Sequence, residues 1–180
     1  LALAVGDVEF QKLSDRARAG KTYQQALEER PDDRKLLAKL MQLYSEEKDW
    51  AKLVDVVLRL ADFVEDPKQR AKYMHTAATI ASRQMQKVDQ ALGFYERAIE
   101  FDPTLTKAVD ESLELYRQKG DHGSVKRLLN MQLEHAKTNA DRAKIVKVLD
   151  ALGELYRKFL NEPVLAIDAL EAAQAFEPDD

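Results

Sequence analysis

The chain has 180 residues, with 28 Lys and Arg against 32 Asp and Glu, a formal net charge of −4 and no cysteine. The lack of cysteine excludes disulfides, thiolate nucleophiles and cysteine metal ligands, and the acidic balance disfavours generic nucleic-acid binding. Few Gly and Pro favour helix over strand, and no apolar run approaches the length of a membrane span.

Helical patterns follow one another along the chain, without the alternation that predicts hairpins. In chain order, apolar residues recur at spacings of three and four: Leu37, Leu40, Met41 and Tyr44; Leu53, Val57 and Leu60; Leu149, Leu152 and Tyr156. Helix-start signals stand between such sets: Asp49, Asp66-Pro67, Asp102-Pro103, Asp121 and Glu162-Pro163. Gly120 before Asp121 predicts a helix end. We therefore predict an all-α chain of antiparallel helix pairs.

The end of the chain restates its beginning. Segment 5–33 aligns without a gap on segment 152–180, and segment 44–50 aligns on 116–122 at a shift of 72 residues. The first alignment pairs Gly6 with Gly153, Leu13 with Leu160, Ala19 with Ala166, Ala26 with Ala173, and Pro31-Asp32-Asp33 with Pro178-Asp179-Asp180. Half of the 72-residue shift is a period of about 36 residues, which is typical of a solenoid. We predict five units in two alternating types, with bounds near 1–31, 32–67, 68–103, 104–138 and 139–180.

The pattern resembles the tetratricopeptide repeat, a 34-residue helix–turn–helix unit. The fifth unit carries the family's spacing best, with Leu149, Leu152, Gly153, Tyr156, Ala166, Leu170, Ala173 and Pro178. The third supplies Met74, Ala77, Ala78, Ala81, Ala91, Tyr95, Ala98 and Pro103, and the first supplies Gly6, Ala19, Tyr23, Ala26 and Pro31. The even units depart from it, with Leu53, Leu60, Val125 and Gln132 at alanine positions. The resemblance implies a right-handed solenoid of antiparallel helix pairs.

Catalytic and cofactor motifs are missing from the sequence. His75, His122 and His135 have no metal-ligand spacing, and no glycine-rich phosphate loop occurs. Trp50 and Tyr44 stand where the family places packing residues, which favours a core role for both. We predict that the chain is not an enzyme and takes no cofactor.

The family resemblance implies a groove lined by the first helix of each unit. Groove positions are occupied by cations in four successive units: Lys35, Lys72, Lys107, Lys147, Arg83, Arg117, Arg157 and Lys158. A lysine in the first turn opposes the helix dipole, so four at one position suggest a basic ladder for an acidic extended peptide. The alternative is that related units share surface lysines by common ancestry. The groove positions of this chain do not carry the residues of the carboxylate clamp found in the family.

These patterns predict a protein-interaction scaffold that presents a groove to a peptide or partner domain. We expect the partner to be another protein or an acidic peptide, and we expect neither a nucleic acid nor a membrane as a partner. Two alternatives stay open: an RNA-binding helical repeat and a structural or self-assembling spacer. The last predicted helix carries apolar residues with no polar capping helix after it. We therefore expect a segment of a longer array, with self-association through uncapped ends.

Overall fold

The computed structural model describes residues 2–11 and 15–176, with side chains for 3–10 and 15–176. Leu13 and the final Pro178-Asp179-Asp180, which enter the repeat alignment, lie outside the described residues. The described part contains ten α-helices and one π-helical turn, Tyr156–Leu160, and no strand. The helices are α1 (Ala2–Gln11), α2 (Arg16–Glu29), α3 (Arg34–Glu47), α4 (Trp50–Asp62), α5 (Pro67–Arg83), α6 (Val88–Phe101), α7 (Thr106–Lys119), α8 (His122–Thr138), α9 (Arg142–Leu155) and α10 (Pro163–Gln174). The all-α prediction is confirmed.

The chain divides into two compact units, Leu1–Ala108 and Val109–Asp180. In the first unit, each helix from α1 to α6 packs against the next helix in sequence. In the second unit, α8 packs against α9 and α9 against α10. Contacts between sequential neighbours are the property expected of a stacked repeat, because no helix pair can bury its own apolar face alone.

The α5–α6 pair shows why alanine recurs at the predicted packing positions. Six alanines of these two helices are fully buried: Ala71, Ala77, Ala78, Ala81, Ala91 and Ala98. Small side chains allow two helix backbones to approach to the short end of the ~8–10 Å packing range. Tyr95 and Met74 are also buried and fill the remaining space.

Most predicted helix starts are confirmed by their hydrogen bonds. Asp49 and Asp121 accept from the backbone N–H of Lys52 and Ser124, and Asp66 caps α5 ahead of Pro67. The start predicted at Asp102-Pro103 is wrong, since α7 begins at Thr106. Asp102 instead accepts from the N–H and hydroxyl of Thr104, 3.0 and 2.6 Å away. A short acidic side chain that satisfies a local turn competes with helix initiation.

The turns between paired helices come in two kinds that alternate along the chain. After α3 and α7, the turn closes on a carbonyl five residues back, through Asp49 N–H to Tyr44 O and Asp121 N–H to Tyr116 O. After α1, α5 and α9 a backbone N–H instead donates to the carbonyl oxygen six residues earlier. These hydrogen bonds run from Asp15 to Glu9, from Lys87 to Ala81 and from Glu162 to Tyr156. The last of these turns accommodates its extra residue in the π turn. The two kinds of turn thus differ by one residue in the span that the closing hydrogen bond covers.

The observed helix starts correct the prediction that all four lysines of the basic ladder lie in the first turn of a helix. Lys35 and Lys107 are the second residues of α3 and α7, as predicted for the first turn. Lys72 and Lys147 are the sixth residues of α5 and α9, which begin about one turn earlier. The helix-dipole argument therefore applies to two of the four lysines, because the dipole acts within the first turn.

Candidate functional site

A groove in the second unit lies between α7 and α9, and residues of α8 contribute to its lining. Its cavity has a volume of about 480 Å³. Two of the predicted groove residues, Arg117 and Lys147, line it together with Lys144. Asp110 and Asp141 line it as well, so three cations face two carboxylates in one open cavity.

Both carboxylates of this groove are engaged in hydrogen bonds within the chain. Gln132 Nε2 donates to Asp110 Oδ1 at 2.7 Å, and Asp141 Oδ1 accepts from the backbone N–H of Lys144 at 3.1 Å as the N-cap of α9. Among the described residues, the side chains of Arg117 and Lys147 form no ion pair, and both are exposed. The groove therefore offers cationic hydrogen-bond donors, while each of its two acids already accepts a hydrogen bond within the chain.

A second groove lies between α3 and α5 in the first unit and has the opposite chemistry. Its cavity has a volume of about 430 Å³. The apolar lining comes from Met41, Trp50, Leu53, Val57 and Ile80, and the polar lining from Gln42, Ser45, Thr76, Thr79 and Gln84. No charged side chain of the described residues lines it. A neutral, largely apolar cavity suits an uncharged apolar side chain, because a charge placed there would lose hydration without a partner.

The other six predicted groove residues do not line these two cavities. Lys35, Lys72, Lys107 and Arg83 are exposed on their helices. Arg157 and Lys158 both pair with Glu154, the Arg157 contact being 2.7 Å between Nη2 and Oε1. Lys158 and then Arg157 hold the pKa of Glu154 below its usual value. Those two cations are thus partly neutralised by a residue of their own helix.

The π turn displays an aromatic side chain next to the charged groove. The Phe159 ring stacks on His122 with ring centroids 4.4 Å apart, and Phe159 is largely exposed. A smaller cavity of about 260 Å³ is lined by both residues and by Arg117. Arg117 therefore borders two adjoining cavities of the second unit.

A further cavity, of about 640 Å³, lies between α2 and α4 in the first unit, and none of the predicted site residues lines it. Tyr44 forms part of its wall, receives a hydrogen bond from Gln24 Nε2 at 2.6 Å, and has its pKa raised by burial. Lys52 Nζ lies 5.4 Å from the Tyr44 ring centroid and 2.7 Å from Asp49 Oδ2. Gln24 and Tyr44 in the wall of this cavity are thus paired with each other, while the partner of Lys52 is Asp49 outside the lining.

Two further observations concern the described residues. They contain no cluster of three or more His, Asp or Glu side chains placed to hold a metal ion. None of their helices is both long enough and apolar enough to span a bilayer.

Comparison with known proteins finds similarity of structure only. No protein-family model matches the chain, and no curated protein matches it. Among solved structures, MamA aligns at a TM-score of 0.50 and 14% identity over 96% of this chain and 94% of its own. YrrB, a TPR protein with an unusual peptide-binding site, aligns at 0.50 and 15% identity over 99% and 86%. A putative kinesin light chain of Podosopora anserina with TPR-like repeats aligns at 0.51 and 14% identity over 97% and 92%.

The fold is a tetratricopeptide-repeat-like helical solenoid. This confirms the predicted fold class, and at these identities the likeness extends to the fold alone. Of the solved structures that share this fold, YrrB has a peptide-binding site and the kinesin light chain has TPR-like repeats.

Sequence reasoning missed the neutral groove of this tetratricopeptide-repeat-like fold. Tyr44 is buried, as expected, and Trp50 packs against the core of the first unit while remaining half-buried. The exposed part of Trp50 lines the α3–α5 groove beside Met41 and Ile80. One signal was present in the sequence, since tryptophan is so large that it is rarely buried completely.

Proposed function

We propose that this chain is a protein-interaction scaffold of the tetratricopeptide-repeat family, and that its α7–α9 groove binds an acidic segment of a partner protein. The observation that carries the proposal is the convergence of Arg117 and Lys147, from two different helices, on one open cavity. Arg117 can bind a carboxylate with two parallel N–H donors, and Lys147 adds a second positive charge.

The distribution of hydrogen bonds supports an acidic ligand despite the two carboxylates in the groove. Gln132 is buried and donates to Asp110, while Asp141 caps a helix. Each acid thus has a partner within the chain before a ligand arrives. Arg117 and Lys147 are the groups left to receive a carboxylate.

The family assignment and the unit division belong to the same proposal. We propose five units with the bounds 1–31, 32–67, 68–103, 104–138 and 139–180. The alternation of five- and six-residue turn closures supports a larger repeat made of one odd and one even unit. Of the eight cations predicted for the groove, the binding proposal keeps Arg117 and Lys147, which line the cavity.

We further propose that the α3–α5 groove accepts an apolar side chain of the partner. Trp50 is the only tryptophan of the chain, so its fluorescence reports directly on this cavity. Met41 and Ile80 lie on opposite walls, on α3 and α5. An apolar side chain between them would replace water against the indole and move its emission to shorter wavelength.

The charged groove is tested by fluorescence anisotropy with three labelled peptides of equal length, in which alanine alternates with glutamate, glutamine or lysine. We expect binding of the glutamate peptide alone, weakening as salt rises because exposed charges are screened. The double variant Arg117→Glu/Lys147→Glu should lose that binding. Circular dichroism verifies that the variant keeps its helical content.

The matched control is Lys35→Glu/Lys107→Glu, which makes the same change of net charge at two exposed positions outside the grooves. We expect it to retain most of the binding. Equal loss in both double variants would replace a groove site with a general charge effect. Binding of all three peptides alike, or of none, would contradict the proposal.

Two other functions are tested by adding RNA homopolymers to the same anisotropy assay and by measuring the mass of the chain without peptide. Salt-dependent binding of RNA homopolymers in place of the acidic peptide would favour an RNA-binding repeat. Assembly without any peptide binding would favour a structural spacer. We assign no reaction and no cofactor to the chain, and we propose no membrane partner.

A further inference from the structure

The small cavity lined by Phe159, His122 and Arg117, the Phe159 pocket, has a counterpart one double repeat earlier in the chain. A shift of 72 residues for α7 and α8, and of 75 residues for α9 and the turn after it, places its whole lining on residues that line the α3–α5 groove. The 75-residue shift is the one that matches the N-cap Asp141 to the N-cap Asp66. The pairs are Arg117 with Ser45, His122 with Trp50, Val125 with Leu53, Ala151 with Thr76, Glu154 with Thr79, Leu155 with Ile80 and Phe159 with Gln84.

The residue changes between these two equivalent cavities alter what each can bind. Both keep an aromatic ring at the first residue of a second helix, Trp50 in α4 and His122 in α8. The neutral Ser45 is replaced by Arg117, and the polar Gln84 is replaced by Phe159. The Phe159 pocket therefore combines a cation with two stacked rings, where the α3–α5 groove has one ring and neutral polar groups.

The turn that carries Phe159 does not itself require an aromatic residue. In the three turns closed by a hydrogen bond six residues back, the residue three places before the donor N–H is Lys12, Gln84 or Phe159. Two of the three are polar, so the common architecture of the turn does not account for the phenylalanine.

The Phe159 ring keeps apolar surface available for a ligand. One face of the ring stacks on His122, yet the residue is 57% exposed. Aromatic residues and arginine are the residue types enriched in protein interfaces. An exposed ring and Arg117 in one cavity therefore have the composition of a contact site.

The Phe159 pocket continues the charged α7–α9 groove, because Arg117 and Ala151 line both cavities. At ~1.5 Å per helical residue, the twelve residues from Lys147 to Phe159 span roughly 18 Å. An extended peptide advances ~3.3 Å per residue and covers that distance in about five or six residues. Residues an even number apart share one face of such a peptide, which favours a spacing of about six.

The pocket is less suited to an acid of the ligand than the groove beside it. Glu154, a carboxylate, belongs to its lining and pairs with Arg157 and Lys158. A ligand carboxylate placed next to Glu154 would meet a like charge. The ligand's acid is thus expected at Lys147 and its apolar side chain at Phe159.

We propose that the Phe159 pocket binds an aromatic side chain of the partner segment, about six residues from the carboxylate that Lys147 receives. The aromatic ring of the ligand stacks on the face of Phe159 that His122 leaves free, in the offset or tilted arrangement that aromatic pairs prefer. This inference rests on the proposed binding of an acidic segment in the α7–α9 groove. It makes Phe159 the residue that selects, among acidic segments, those that carry an aromatic residue.

The test uses fluorescence anisotropy with the alternating alanine–glutamate peptide, in which one terminal glutamate is replaced by phenylalanine, leucine or alanine. One series changes the first glutamate and another the last, so that both chain directions in the groove are covered. In one series we expect the phenylalanine peptide to bind about three- to tenfold more tightly than the alanine peptide, the gain typical of one aromatic contact. The leucine peptide should lie between them.

Phe159→Ala should remove this gain and leave the affinity for the alanine peptide unchanged, which also verifies that the variant is folded. Phe176→Ala is the matched control, because it removes the same side chain from another exposed position of the second unit. Phe176 lines none of the cavities described above, and its variant should keep the full gain.

The outcomes separate this inference from the proposed function. Equal affinity of the phenylalanine and alanine peptides in both series, or a gain that survives Phe159→Ala, would overturn the inference and leave the acidic-segment proposal standing. A phenylalanine peptide with glutamine at every other glutamate position that binds as tightly would overturn the link between the two sites. Failure of the glutamate peptides themselves to bind would contradict the proposed function, and this inference with it.

Discussion

Gly6 of α1 lies directly against the ring of Tyr23 in α2: a Cβ on Gly6 would stand 2.4 Å from Cε1 of that ring. Tyr23 is fully buried, and its hydroxyl donates to Asp7 Oδ1 at 2.7 Å. The ring therefore has no room to move away, and only glycine permits this approach of the two helices.

The equivalent glycine at the other end of the chain offers a direct comparison. A Cβ on Gly153 would lie 2.8 Å from Cγ of Leu170, a side chain that is 38% exposed, and 3.4 Å from the carbonyl oxygen of Ala166. We expect Gly6→Ala to lower the stability by about 1–2 kcal/mol, since a cost of about 1–3 kcal/mol for overpacking outweighs the helix propensity gained. Gly153→Ala should be neutral or stabilising by up to about 1 kcal/mol. Urea unfolding of both variants checks this, and equal losses would contradict it.

Lys48 and Gly120 occupy the same place in the two even units, 72 residues apart, and both have positive φ, of 57° and 70°. A side chain in this left-handed conformation is strained by roughly 1 kcal/mol. We expect Lys48→Gly to raise the free energy of unfolding by up to about 1 kcal/mol and Gly120→Lys to lower it by about the same amount. Thermal melts followed by circular dichroism measure both, and shifts of the same sign would refute the explanation.

Asp7 links three helices, because it also accepts from Lys39 Nζ at 2.8 Å. The hydrogen bond from Lys39 lowers the pKa of Asp7 below its usual 3.8, helped by Tyr23 and opposed by burial. A lowered pKa in the folded state means that this stabilisation is complete above 3.8 and is lost as the pH falls below it. We expect Asp7→Asn to melt below the wild type at neutral pH, with the difference shrinking in acid. A difference that stays constant into strong acid would show that the charge is not the cause.

Ala98 and Gly93 lie on the same helix, α6, in opposite environments. Ala98 is fully buried, whereas a Cβ on Gly93 would meet nothing within 4 Å. We predict that Ala98→Arg broadens or abolishes the cooperative thermal transition, because stacked helices share their interfaces. Gly93→Arg introduces the same side chain at the open site and should preserve the transition. An unchanged melt for Ala98→Arg would contradict the stacking of helix pairs.

The fold was predictable from sequence to a large extent, because its signals are local. Alanines at a fixed spacing, such as Ala91 and Ala98, predicted close helix packing, and both are fully buried. The start at Asp102-Pro103 failed because a side-chain hydrogen bond to Thr104 holds a turn there.

The binding surfaces were only partly predictable. A shared position in the repeat predicted equal roles for Lys72 and Lys147, yet Lys147 lines the α7–α9 groove and Lys72 lines none of the cavities described above. Arg157 and Lys158 were predicted as groove cations, but Glu154 pairs with both. Side-chain partners depend on which residues lie one turn away and on the neighbouring helix, and the repeat pattern does not contain that information.

The sequence by itself determined the helices, their order and their buried faces, since apolar period, capping residues and turn glycines act over a few residues. The tertiary structure decided which side chains share a cavity. Arg117 and Lys147 are 30 residues apart and meet only because α7 and α9 line one groove. Trp50 acquires its neutral cavity in the same way, from Met41 on the preceding helix and Ile80 on the following one.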